Sequence, residues 1–153
     1  MAGHAADELD IRDQPLRDLY AYWQTMRGDR RIPPRSAFDP TRVPRLLPNL
    51  ILLDVEPETG RLIVRVLGTR VATVYGKDYT GRYLDEVYFG SNATSVLDDY
   101  GTCARDGIPV LGERNFRNVR DVVYRMERLI LPFSDDGKVV NKLISGLHFI
   151  ELN

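Results

Sequence analysis

The chain has 153 residues, a formal net charge of −1, 43% hydrophobic and 28% charged residues, and a single cysteine. A chain of this length buries about 70% of its surface on folding, enough for one core without disulfides or a metal. The composition excludes wholesale disorder, and the near-neutral charge excludes a general attraction to nucleic acid or anionic lipid. The apolar runs are too short to span a membrane, and residues 1–8 lack the basic and apolar regions of a signal peptide. With one cysteine, this leads to the expectation of one soluble cytoplasmic domain. The basic residues are 18 Arg against 3 Lys, six of the arginines falling between Arg27 and Arg45, a bias that suits either bidentate anion pairing or ordinary surface ion pairs.

Residues 1–12 show no apolar periodicity and read as a mobile tail. Asp13 reads as a helix N-cap, with Pro15 in the first turn. Leu16, Leu19, Tyr20, Trp23 and Met26 recur at three- and four-residue steps on one face, and Gly28 ends the helix. Pro33, Pro34, Pro40, Pro44 and Pro48 forbid a long helix after it, so residues 29–48 read as a connector with one or two turns opened by Asp39-Pro40, tacked to the core by Val43, Leu46 and Leu47.

From Leu50 the period changes. Leu50–Val55 and Arg61–Leu67 read as a hairpin closed by Glu56-Pro57-Glu58-Thr59-Gly60. Alternation in the second strand puts Leu62, Val64 and Val66 on one face, and Arg61, Ile63, Arg65 and Leu67 on the other. Thr69–Val74 and Tyr83–Tyr88 read as short helical pieces, and Ser91–Arg105 as a second long helix with Val96, Tyr100 and Cys103 on a shared face. Three strands follow, Val110–Asn118, Val122–Pro132 and Asn141–Leu152, the last two joined by Ser134-Asp135-Asp136-Gly137. The organisation is a tail over 1–12, a helix and Pro-rich connector over 13–48, and a main domain over 49–153. The fold class is α+β: a five-stranded antiparallel sheet with helices inserted between strands 2 and 3 and an amphipathic helix before them.

That order resembles a PAS domain. The residues that carry the likeness are Gly68-Thr69 and the run Tyr75-Gly76-Lys77-Asp78-Tyr79-Thr80-Gly81-Arg82. More narrowly, the chain is similar to a family of short bacterial PAS-fold proteins of largely unassigned function. Tyr22-Trp23, Arg27-Gly28, Arg31, Pro33, Arg35, Asp39-Pro40, Leu46-Leu47-Pro48, Arg65 and Glu127 with Leu131-Pro132 match it. The likeness runs over about residues 16–150. It implies a sheet and helices that enclose a small molecule, and sensing or protein interaction without catalysis. Some photosensory PAS domains bond a chromophore through cysteine, but Tyr100-Gly101-Thr102-Cys103-Ala104-Arg105 lacks the Arg-Phe pair that follows the flavin-linked cysteine, so Cys103 reads as a buried structural thiol. Haem needs an axial ligand on a helix, and the two histidines, His4 and His148, lie in the tail and the last strand. No cofactor and no metal site are expected.

Seven residues are candidate ligand contacts: Arg65, Tyr75, Tyr83, Tyr100, Cys103, Tyr124 and Glu127. The tyrosines fall in or beside the elements that line a PAS cavity and pair an apolar ring with a hydroxyl. Arg65, if core-facing, needs Glu127 or an anionic ligand as partner; alternation favours the exposed reading. Leu16, Leu19, Tyr20 and Trp23 are the candidate dimer or signalling helix face, packing either on the chain's own sheet or on a second protomer. Three functions remain open: a non-enzymatic sensory domain for a small molecule or a regulatory partner, a small cone-like enzyme with a carboxylate and tyrosine pocket, and an interaction adaptor with a filled core.

Overall fold

In the computed structural model, which describes residues 9–152, Asp13 accepts a hydrogen bond from the Leu16 amide at 3.2 Å and opens helix α1, Gln14–Arg27. Pro15 sits in the first turn, where its missing N–H has no helical partner to lose, and Gly28 closes the helix at φ 54°. The connector forms three 3-10 segments, Arg35–Ala37, Pro40–Arg42 and Pro44–Asn49, where one or two turns were expected. Pro40, Pro44 and Pro48 each lack the amide that would extend a turn into an α-helix.

Strands β1 (Leu50–Val55), β2 (Leu62–Leu67), β3 (Val110–Arg117), β4 (Val123–Phe133) and β5 (Lys142–Glu151) form one antiparallel sheet in the order β2-β1-β5-β4-β3. Helix α2 (Thr69–Tyr75), 3-10 turns at Leu84–Glu86 and Gly90–Asn92, and helix α3 (Ala93–Asp106) lie between β2 and β3. This is the α+β architecture expected, with the second long helix starting two residues later than the sequence suggested.

The sheet is covered on both faces, so it has two cores. The inner face, under α2 and α3, gathers Ile51, Leu53, Val64, Val71, Val74, Tyr75, Tyr100, Cys103, Phe116, Met126, Ile130 and Leu147. The outer face, under α1 and the connector, gathers Leu16, Leu19, Tyr20, Trp23, Phe38, Leu46, Leu50, Leu129, Leu131, Phe133 and Ile144. Gly146 lets α1 lie this close: a Cβ there would come 2.8 Å from Leu16 Cδ2 and 2.9 Å from Leu19 Cδ2.

Two expectations are corrected. Leu52 pairs with Val66 and Leu53 with Val64, so a bulge leaves Arg65 without an opposite residue. Alternation therefore resets after Val64: Val66 turns to the outer face and is 49% exposed, while Leu67 packs on the inner core. The supposed tail is also docked from Leu9 onward, with Ile11 buried in the outer core. Residues 1–8 of that segment lie outside the described residues. Among the described residues no helix is long and apolar enough to cross a membrane.

Candidate functional site

Strand β4 alternates across the sheet, so Tyr124, Met126, Arg128 and Ile130 point inward while Glu127, Leu129 and Leu131 point outward. Arg128 is the odd member of the inner row. It is 2% exposed, lies among Phe89, Tyr100, Tyr75 and Met126, and makes no ion pair among the described residues. Its Nη2 donates to the Tyr75 hydroxyl at 2.7 Å, and its Nε has no hydrogen-bond partner.

Three further elements bring polar atoms to the same place. Tyr75 is the last residue of α2, positioned there because Gly76 takes the left-handed conformation that ends the helix. Tyr100, in the middle of the buried face of α3, donates to Ser145 Oγ on β5 at 2.9 Å. Cys103 lies one turn on along that face, fully buried. Burial pushes the Tyr75 hydroxyl up to about 12, the Tyr100 hydroxyl upward and the Cys103 thiol well up, so all three stay protonated at neutral pH. Burial works against the Arg128 charge, but its two tyrosine neighbours and Asp99 hold it above its ordinary value. The result is a buried interior with one permanent positive charge, two neutral phenol groups and a neutral thiol.

Of the seven candidate contacts, the fold brings together Tyr75, Tyr100 and Cys103. Tyr124 is on the same face but packs edge-on against Phe149 at 6.0 Å. Tyr83 is at the rim of the first hairpin, donating to Glu56 at 2.8 Å with Arg61 stacked 3.5 Å from its ring centre. Arg65 and Glu127 are on the outer face. Arg65 pairs with Asp54 at 2.6 Å near solvent, the outcome that alternation favoured. Glu127 is buried under the mouth of α1, where its two oxygens accept the Arg12 amide at 2.7 Å and the Asp13 amide at 2.9 Å. Asp13 in turn pairs with His148 Nδ1 at 3.2 Å, across from Glu127 on the neighbouring strand. Of the two packings left open for Leu16, Leu19, Tyr20 and Trp23, the structure shows the one on the chain's own sheet: all four are buried there, and Trp23 Nε1 donates to the Pro132 carbonyl at 2.9 Å. Among the described residues no group of three or more His, Cys, Asp or Glu is placed to hold a metal ion.

Sequence reasoning missed Arg128 and did not place Ser145 beside Tyr100. The available signal was a charged residue inside the near-continuous apolar run of β4, beside the Glu127 that was noticed.

The sequence matches the PAS domain family over residues 11–147. The chain belongs to the PAS domain family. This PAS domain shares its fold with a light-oxygen-voltage domain studied with a flavin analogue, at a TM-score of 0.56 and 13% identity over 74% of this chain and 87% of that one. It is similar in the same way to a LOV protein of Rhodobacter sphaeroides (TM-score 0.53, 12% identity, 76% and 69% of the two chains). VqmA bound to DPO aligns at a TM-score of 0.54 and 12% identity, over 69% of this chain and 53% of that one. At these identities the likeness is one of fold. No curated protein matches the sequence significantly. A PAS fold is that of sensory and signalling domains.

Proposed function

We propose that this PAS domain is a non-enzymatic sensor. It binds a small molecule on the inner face, at Tyr75, Tyr100, Arg128 and Ser145, and reports occupancy through α1 on the outer face. The observation that carries the reading is Arg128 itself: a buried cation with an unused N–H in the middle of a PAS core, on the strand that also holds α1. Removing such a charge from water costs several kcal/mol, which a filled apolar core would not retain without a use. Neighbouring residues of β4 serve the two sides. Arg128 faces the proposed ligand, Glu127 holds the two amides that lead into α1, and the Pro132 carbonyl receives the Trp23 indole. A ligand that shifts β4 therefore has a direct mechanical route to the helix, provided it favours one packing of α1 over another.

The non-enzymatic reading is supported by the placement of the acid that the enzyme alternative needs. Glu127 and the inner-face tyrosines Tyr75 and Tyr100 are on opposite faces, and the carboxylate is occupied by two backbone amides. Flavin and haem are not part of the proposal. The inner face is filled by Tyr75, Phe89 and Phe116 meeting edge to face at 5.9 and 5.1 Å, and the raised, buried Cys103 thiol is the opposite of a reactive thiolate. That interlocked packing also favours a second reading, a ligand-free interaction module.

Native mass spectrometry of the protein from its own host, paired with Trp23 emission, tests the proposal; Trp23 is the single tryptophan. One retained small molecule per chain, with emission that shifts when it is dialysed out, is the expected result. A bare chain whose emission ignores a small-molecule extract of the host contradicts the sensor and favours the interaction module.

A further inference from the structure

Resting on the sensory reading above, we infer that the inner face takes a small monoanion, a short-chain carboxylate, held by the Arg128 guanidinium and the Tyr75 and Ser145 hydroxyls. Three arguments lead to this ligand class.

The first is charge. A guanidinium does not deprotonate in a protein, so the interior permanently holds the Arg128 cation. The rings of Phe89 and Tyr100, 5.6 and 5.5 Å from its centre, offset part of the lost hydration but bring no negative charge. The nearest carboxylate that acts on it, Asp99 of α3, is bound to Arg114 at 2.9 Å. That pair crosses Gly112, the residue opposite Arg128 on β3, where a Cβ would come 2.5 Å from Arg114 Nη1 and 2.8 Å from Asp99 Oδ2. Asp99 is thus shared with Arg114, and Arg128 makes no direct ion pair of its own among the described residues.

The second is donor geometry. The Arg128 Nη2 and the Tyr75 hydroxyl both converge on the Met126 thioether, at 3.4 and 3.8 Å, and a thioether is a weak acceptor. An anionic oxygen in the place of that sulfur would accept both groups at charge-assisted strength, and the second oxygen of a carboxylate suits the unused Nε–H. Ser145 Oγ accepts from Tyr100, leaving its own proton to donate.

The third is adaptability. Met126 is unbranched with a soft side chain, so it is the inner-face group whose rotation would open space for the ligand. The charge count sets the ligand: a monoanion neutralises Arg128, whereas a dianion buries a new unpaired charge.

The test is NMR on the full chain titrated with sodium acetate at constant ionic strength, with sodium sulfate as the ionic control. The Arg128 Nε–H resonance is expected to move saturably with acetate and not with sulfate. The thermal midpoint of the wild type should rise saturably in parallel, and Arg128→Met should lose that rise. Tyr75→Phe, which keeps the ring and the fold, should weaken acetate about tenfold or more. If Arg128→Met does not fold, the wild-type resonance and Tyr75→Phe decide the matter. A resonance that ignores acetate, or responds equally to sulfate, overturns the inference. A neutral molecule retained from the host while acetate leaves Arg128 unmoved overturns the anion and keeps the sensor. Acetate bound at Arg128 with Trp23 emission unchanged keeps the anion and contradicts the sensor's coupling.

Discussion

Trp23 and Glu127 fix α1 to the sheet from its two ends, and each makes a distinct prediction. Trp23 is buried and donates to the Pro132 carbonyl. Trp23→Ala removes ring and hydrogen bond together and should cost about 3–5 kcal/mol by urea denaturation. Trp23→Phe keeps most of the apolar area and should cost about 1–3 kcal/mol, the value of an unpaired buried carbonyl; equal losses for the two would contradict the hydrogen bond's role. Glu127 accepts two successive amides with two oxygens. Glu127→Gln retains one acceptor oxygen, so one amide loses its partner, at about 1–3 kcal/mol and with faster hydrogen exchange at Arg12 or Asp13. Tyr75 makes a pH prediction. Its folded-state value, about 12, is above the unfolded one near ~10, so its contribution is constant below ~10 and is lost as pH rises toward 12. A tyrosinate absorbance titration should therefore show Tyr75 ionising late, with or after unfolding. Ionisation of all eight tyrosines near ~10 in the folded protein would count against its burial.

At the scale of elements, two glycines mark where the connector and α1 approach the sheet, and they differ in what a methyl group would strike. At Gly68 a Cβ would lie 2.3 Å from the Pro48 carbonyl oxygen, which is backbone, whereas at Gly146 it would meet the flexible ends of Leu16 and Leu19. Gly68→Ala should be the costlier change, at about 1–3 kcal/mol or more, and Gly146→Ala the milder, compared by the same denaturation midpoints. The reverse order would mean that α1, not the connector, is the tighter contact. These approaches also show why the elements were unequally legible in the sequence. The buried face of α1 was readable because Leu16, Leu19, Tyr20 and Trp23 encode it within one helix. The facing of Val66 was not, because the bulge at Arg65 is set by pairing with Leu52 and Leu53 on another strand. Arg128 escaped for a related reason. A sheet covered on both sides loses its polar–apolar alternation, so β4 does not reveal in sequence which of Glu127 and Arg128 faces which core.

For the molecule as a whole, the sheet is a shared wall. β4 and β5 carry the proposed ligand site on one side, through Arg128 and Ser145, and the seat of α1 on the other, through Glu127, Leu129, Ile144 and Gly146. Tight packing on both faces means that a change in one core displaces the strand that lines the other. Leu16, Leu19, Tyr20 and Trp23 are buried in this arrangement, so in the proposed sensor α1 would report through its docking on the sheet. The direct test of that claim is hydrogen exchange, below global unfolding, in the wild type and in Tyr75→Phe, a substitution confined to the inner face. The account predicts faster exchange at the Arg12 and Asp13 amides and in the first turn of α1, across the sheet from the lost hydroxyl. A change restricted to α2, α3 and the inner side chains, with those amides unaffected, would contradict it.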